Sequence, residues 1–133
     1  MNMLKRLCKG QWGQSITEFA LIAPLLLLLI FGIIDLGRYF YGYMQIQIAA
    51  QETVRLGGLG KTDAEIRAFA ANYTGITDPA KLIVTIVPND TTRKSGEYVT
   101  VVLQRPFDFI TPLPPEVTDG IVQIKGSSTI RVE

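Results

Sequence analysis

The chain has 133 residues, with 13 Lys and Arg, 12 Asp and Glu and no His, for a net charge of +1. That length holds one modest domain, or a smaller domain with an appendage. Without His there is no His-based triad, His metal site or imidazole switch, and the single Cys8 permits neither an internal disulfide nor a Cys-rich zinc site.

A mean hydropathy of +0.25 is high for a chain with 19% charged residues. The excess is concentrated, since Phe19 to Ile34 is sixteen residues without a charge. Before it, Met1 to Gly13 carries Lys5, Arg6 and Lys9 and no acid. A hydrocarbon core of about 30 Å needs about 20 helical residues. The stretch from Phe19 to Tyr39 supplies about 30 Å at 1.5 Å per residue. Tyr39, Phe40, Tyr41 and Tyr43 then fall where an interfacial aromatic belt belongs, and Asp35 and Arg38, three apart, can pair near that outer boundary. The cations before the run place the N-terminus in the cytoplasm and the remainder outside. The exit, Asp35-Leu-Gly-Arg-Tyr-Phe-Tyr, lacks the small-x-small site of an ordinary cleaved secretory signal, so the apolar segment is expected to be retained in the bilayer. Pro24 is tolerable inside a membrane helix, and Gly32, Gly37 and Gly42, five apart, form no GxxxG face.

Glu18 is the informative residue, because it stands one position before the uncharged stretch. An isolated acid deep in a bilayer costs about 2.5–3.5 kcal/mol on insertion scales, so its presence asks for a partner or a role. Gly13 lies five residues earlier, and Gly13-Gln-Ser-Ile-Thr-Glu18-Phe19 spans the polar-to-apolar junction. This resembles the processing site of type IV pilin precursors. The resemblance implies cleavage between Gly13 and Gln14 by a prepilin peptidase, loss of Cys8 with the leader, and assembly roles for Glu18 and Phe19. A glycine suits the cut because its backbone enters conformations other residues resist. The new amine on Gln14 and the Glu18 carboxylate, four apart, would share a helix face. In a filament the carboxylate would meet a neighbour's amine. Removing the three leader cations leaves 10 cations against 12 acids.

The stretch from Glu18 through Pro24 to Asp35-Leu-Gly-Arg38, followed by Ala49-Ala-Gln-Glu-Thr-Val-Arg55, resembles the N-terminal signature of TadE-like proteins, minor pseudopilins of tight adherence (Flp) pilus systems. Ser15 and Gln51-Glu52-Thr53 depart from the usual pattern. The resemblance implies a structural protein and not an enzyme, supporting adhesion or biofilm formation. Its expected partners are the prepilin peptidase, other pilins and pseudopilins, the inner-membrane assembly platform and the lipid bilayer, and no cofactor is expected. Its expected place is the cytoplasmic membrane, crossed once. The rival is an uncleaved, signal-anchored binding module of the cell envelope in which Glu18 is merely interfacial. A major Flp pilin is disfavoured because a whole domain follows the helix.

Beyond the membrane the helix is expected to reach Leu56, with Ile46, Ala49, Ala50 and Thr53 packing on the domain and Gln51, Glu52 and Arg55 opposite. Gly57-Gly58-Leu-Gly60 should break it. Thr62-Asp-Ala-Glu65 is a capping box, opening a helix that carries Ile66, Phe69, Ala70 and Tyr73 on one face and ends before Gly75. From Lys81 the period changes to two. Leu82–Val87 and Tyr98–Gln104 read as strands about the polar turn Asn89–Gly96. Thr111 to Gly120 is a proline-rich loop, and Phe107 and Phe109 fit a packed loop better than an exposed contact surface. Ile121–Lys125 and Ser128–Val132 make a third strand with a possible break at Gly126. Asp90, Glu97, Asp108, Glu116 and Asp119 are dispersed, and no phosphate-binding loop follows a strand. The expected class is α+β: a long N-terminal transmembrane helix extending into a small domain with a second helix and a three-stranded antiparallel sheet. The divisions are a leader at 1–13, the helix at 14–56 and an extracytoplasmic domain at 57–133. Since about 75 residues is small for an independent core, the outer half of the first helix should complete it.

Overall fold

The computed structural model describes residues 11–76, 78, 80–114, 116 and 122–133, with Gln11 and Trp12 described by backbone alone. The leader cations Lys5, Arg6 and Lys9, with Cys8, lie outside the described residues, as do parts of the expected 111–120 loop and Ile121.

Helix α1 runs unbroken over Gln11–Gly58 with Pro24 inside it, and α2 spans Asp63–Thr74. Strands β1 (Ile83–Val87), β2 (Tyr98–Pro106) and β3 (Gln123–Arg131) form one antiparallel sheet in the order β1-β2-β3. The chain is α+β, as its periodicities require. The capping box of α2 is complete: the Thr62 hydroxyl accepts from the Glu65 N–H at 3.3 Å, and Glu65 accepts from the Thr62 N–H at 3.0 Å. Gly75, at φ 67°, ends the helix in the left-handed conformation that a side chain would strain. Of its expected face, Ile66 and Ala70 are buried, whereas Tyr73 is largely exposed.

The core lies between the sheet and α1. Ile46, Ala49, Ala50, Thr53 and Val54 of α1 are buried with Val99, Val101 and Leu103 of β2 and Ile124 of β3. Their spacing along α1 is the helical stripe the sequence shows, and along β2 it is the period of two.

The helix ends inside the expected Gly57–Gly60 break, running two residues past Leu56 to Gly58 before Gly60 turns at φ 72°. Cβ atoms added at Gly57 and Gly58 would stand 3.2 Å from Val99 and 3.1 Å from Ile130. Small residues let the helix end lie against the sheet. One boundary differs from expectation: Gly126 does not interrupt the third strand, which stays paired with Leu103. A Cβ on Gly126 would lie 2.7 Å from the Ile46 carbonyl oxygen, so this glycine marks where the backbones of α1 and β3 touch. Beside it, the Gln47 side chain donates to the Ser127 carbonyl at 3.0 Å and accepts from the Ser127 N–H at 3.3 Å, covering part of an edge strand.

Candidate functional site

Two stretches of α1 carry the candidate functions. The first is its N-terminal end, from Gln11 to Phe19, about two and a half turns. Gly13 and Gln14 lie within the helix, and the Thr17 hydroxyl donates to both of their carbonyls, at 3.2 and 2.7 Å. Gly13 weakens this turn by about 1 kcal/mol relative to Ala, so the helix is locally easy to unwind there. Gln14 and Glu18 face each other one turn apart, with the Gln14 side-chain amide donating to the Glu18 carboxylate at 3.1 Å. Glu18 and Phe19 are both exposed, far from the folded domain.

From Phe19 to Ile34 nearly every large apolar side chain is exposed, including Leu21, Leu25, Leu27 and Ile33. Each would forgo roughly 1.5–3 kcal/mol if left in water. The sum over this run exceeds the roughly 5–15 kcal/mol that stabilises a whole domain, so something apolar must cover it. It belongs to one helix that is long and apolar enough to cross a membrane by length and composition, and which therefore suggests a membrane-anchored protein.

The second stretch is the exit of that run. Asp35 and Arg38 are paired at 2.9 Å, as their spacing allows. Their other partners come from the segment after β2. Asp35, only 4% exposed, accepts from the N–H of Ile110 at 3.0 Å, the N–H of Thr111 at 2.8 Å and the Thr111 hydroxyl at 2.6 Å. Arg38 donates also to the Asp108 carbonyl at 3.0 Å and lies over the Phe107 ring. A buried carboxylate is stable in a protein only when such donors replace its water, and here four groups do so. Tyr39 packs edge-on against Phe107 at 5.5 Å, and Phe107 against Phe109 at 5.0 Å. Phe40, Tyr41 and Tyr43 remain exposed.

Sequence reasoning missed Thr111, Ile110 and Asp108 as partners, because they lie 70 or more positions away and three of the contacts are through backbone groups. It also passed over Arg105. That side chain fills a notch that Gly42 leaves in α1, where an added Cβ would collide with the guanidinium and stand 2.7 Å from Ile124. Among the described residues no group of three or more Cys, Asp or Glu side chains comes together in a way that could hold a metal ion.

The long helix is also the part of the chain that resembles known proteins. Residues 13–55 match the family model of TadE-like proteins. The match covers about a third of the chain, beginning at Gly13 and ending at Arg55, four residues after Gln51. The TadE-like segment thus contains Glu18, the apolar run, Asp35, Arg38 and the small-residue stripe, whereas α2 and the sheet lie beyond it. No curated protein and no solved structure matches the chain. The TadE-like match suggests a role in a tight adherence pilus system.

Proposed function

We propose that this protein is a minor pseudopilin-like component of a tight adherence (Flp) pilus, cut between Gly13 and Gln14 by a prepilin peptidase and assembled through Glu18. It sits in the cytoplasmic membrane with its N-terminus inside and its sheet domain outside. Other pilins, pseudopilins and the inner-membrane assembly platform are its partners, and the assembled pilus supports adhesion or biofilm formation. The observation that carries this reading is the start of the TadE-like match at the glycine of the resembled cleavage site.

The electrostatics support the division of roles. A lone Glu18 carboxylate drawn into the bilayer costs about 2.5–3.5 kcal/mol. An amine about 4 Å away returns about 4 kcal/mol at an effective dielectric of 20, enough to offset that cost. Cleavage creates such an amine on Gln14, one turn from Glu18, and a neighbouring subunit supplies another. A helix displaced along the filament by one turn loses the pair, so the charge fixes axial register. Phe19 and the apolar run supply adhesion between helices without direction.

The test is the N-terminus of the protein recovered from cells with an active prepilin peptidase. Mass spectrometry should find it at Gln14. Recovery with Met1 intact would overturn the proposal in favour of an uncleaved, signal-anchored binding module. Glu18→Ala should leave insertion and fold unchanged while abolishing incorporation into pili, and normal piliation would remove Glu18 from the mechanism.

A further inference from the structure

The segment Phe107–Pro114 has an unusual distribution of backbone donors. The N–H of Phe107 goes to the Val122 carbonyl at 3.1 Å and that of Leu113 to the Thr111 carbonyl at 2.7 Å. Those of Ile110 and Thr111 go to Asp35, while Pro112 and Pro114 have none. Four of the six N–H groups of this segment are thus satisfied within the protein, which lowers the cost of bringing it to a bilayer surface. Between this segment and α1 lies a cavity of about 430 Å³ whose apolar walls include Leu28, Gly32, Leu36, Leu113 and Val122. Of its polar wall residues, Asp35 and Thr111 are spent on each other and Tyr39 packs its ring against Phe107, so a polar ligand would find little to bind.

The height of this segment follows from α1. Asp35 pins Ile110 and Thr111 at its own level. A span of about 20 residues ends at Tyr39 if it starts at Phe19, and at Ile34 if it starts at Gln14. In either register the pinned segment lies within about 6 Å of the hydrocarbon boundary, and Leu28 lies at least about 9 Å inside it. The lower wall of the cavity is therefore in hydrocarbon. Ile110 is exposed at the same level, and the exposed charge of Asp108 favours the register that ends at Ile34, which holds the segment at the headgroups.

We propose that the loop Phe107–Pro114 is a second membrane contact, seated in the outer leaflet, and that the cavity it closes against α1 holds a phospholipid acyl chain. The proposal rests on the membrane-anchor reading of α1 and commits to lipid because the cavity opens onto the same face of Leu28 and Gly32 that the bilayer covers. The seat fixes the tilt and height of the sheet domain over the membrane, which a single helix cannot do.

Nitroxide labels in the full chain test it, in vesicles of phosphatidylethanolamine and phosphatidylglycerol, with Cys8→Ser as background and Ile110→Cys, Leu27→Cys and Thr91→Cys as single sites. Oxygen should relax the labels at 27 and 110, and a water-soluble nickel chelate the label at 91. A label at 110 that responds mainly to nickel, or to neither reagent as in a protein contact, overturns the loop's lipid seat. Failure at 27 instead overturns the anchor reading itself. For the cavity, Gly32→Phe projects a ring from a position where a Cβ meets nothing within 4 Å. It should reduce the immobilised fraction of chain-labelled phosphatidylglycerol, and an unchanged fraction overturns acyl-chain occupancy.

Discussion

One helix serves two solvents. Along Phe19–Ile34 its apolar side chains are exposed on nearly all sides, while along Ile46–Val54 they are buried on one side and the opposite side carries Gln51 and Glu52. The secondary structure is the same in both halves; what differs is the angular distribution of apolar groups. A helix apolar all round requires an apolar medium, and one with a stripe requires a sheet to lie on. Substitutions in the outer half should therefore act on the stability of the domain, whereas those at the exposed Glu18 should leave it unchanged.

The harshest way to break this contrast is to remove α1. A fragment beginning at Gly57 lacks Ile46, Ala49, Ala50, Thr53 and Val54, a wall of the core, and should aggregate without a cooperative thermal transition. A sharp melt would show that the sheet and α2 fold alone.

Next in size is Asp35→Ala, which strands the N–H groups of Ile110 and Thr111 at the junction of the two halves. Leaving such donors unsatisfied should cost roughly 2–3 kcal/mol in denaturant unfolding. Hydrogen exchange at those two amides should accelerate, while α2 amides far from the junction keep their rank order.

Gly126→Val sharpens the outer half of the comparison. The new Cβ meets the Ile46 carbonyl at 2.7 Å, and the overpacking should cost about 1–3 kcal/mol. Gly32→Ala, where a Cβ meets nothing within 4 Å, should leave the same midpoint unmoved.

The smallest effect is at the α2 cap. Thr62→Ala should cost about 1 kcal/mol. Hydrogen bonds from the Thr62 N–H and hydroxyl, with Lys61, hold the Glu65 carboxyl below its usual 4.5. A carboxyl depressed in the folded state stabilises above its unfolded value and loses that contribution as pH falls through the folded one. The stability difference between the parent and Glu65→Gln should therefore be full above about pH 4.5 and shrink on acidification.

Several features were readable because their causes are local. The capping box needs only Thr62 and Glu65, three apart, and Gly75 as a helix stop needs only its own φ. The α1 stripe and the alternation of Val99, Val101 and Leu103 are periodicities of single elements. Gly126 misled, since a strand glycine reads equally as a break or as a close approach, and only the position of Ile46 decides between them. Arg93 sits in what reads as a solvated turn, yet it is buried and joins Asp63 at 2.6 Å and the Lys61 carbonyl at 2.8 Å, tying that turn to the start of α2. Nothing within Asn89–Gly96 signals this, because both partners lie some thirty positions earlier.

At the candidate site the division is similar. Gly13, Glu18 and the apolar run are legible as a linear pattern, because spacing and hydropathy along one helix are local properties. The Asp35–Arg38 spacing likewise announces a pair. Sequence alone thus determined the long apolar helix, the element order and the α+β class, since each follows from side-chain period, charge placement and caps within a short window. Tertiary structure alone decided that Asp35 holds the loop after β2, that Gly42 accommodates Arg105, and that Gly126 admits the backbone of α1. Those contacts join residues about 60 to 80 positions apart. Their geometry exists only once the sheet has docked on the helix.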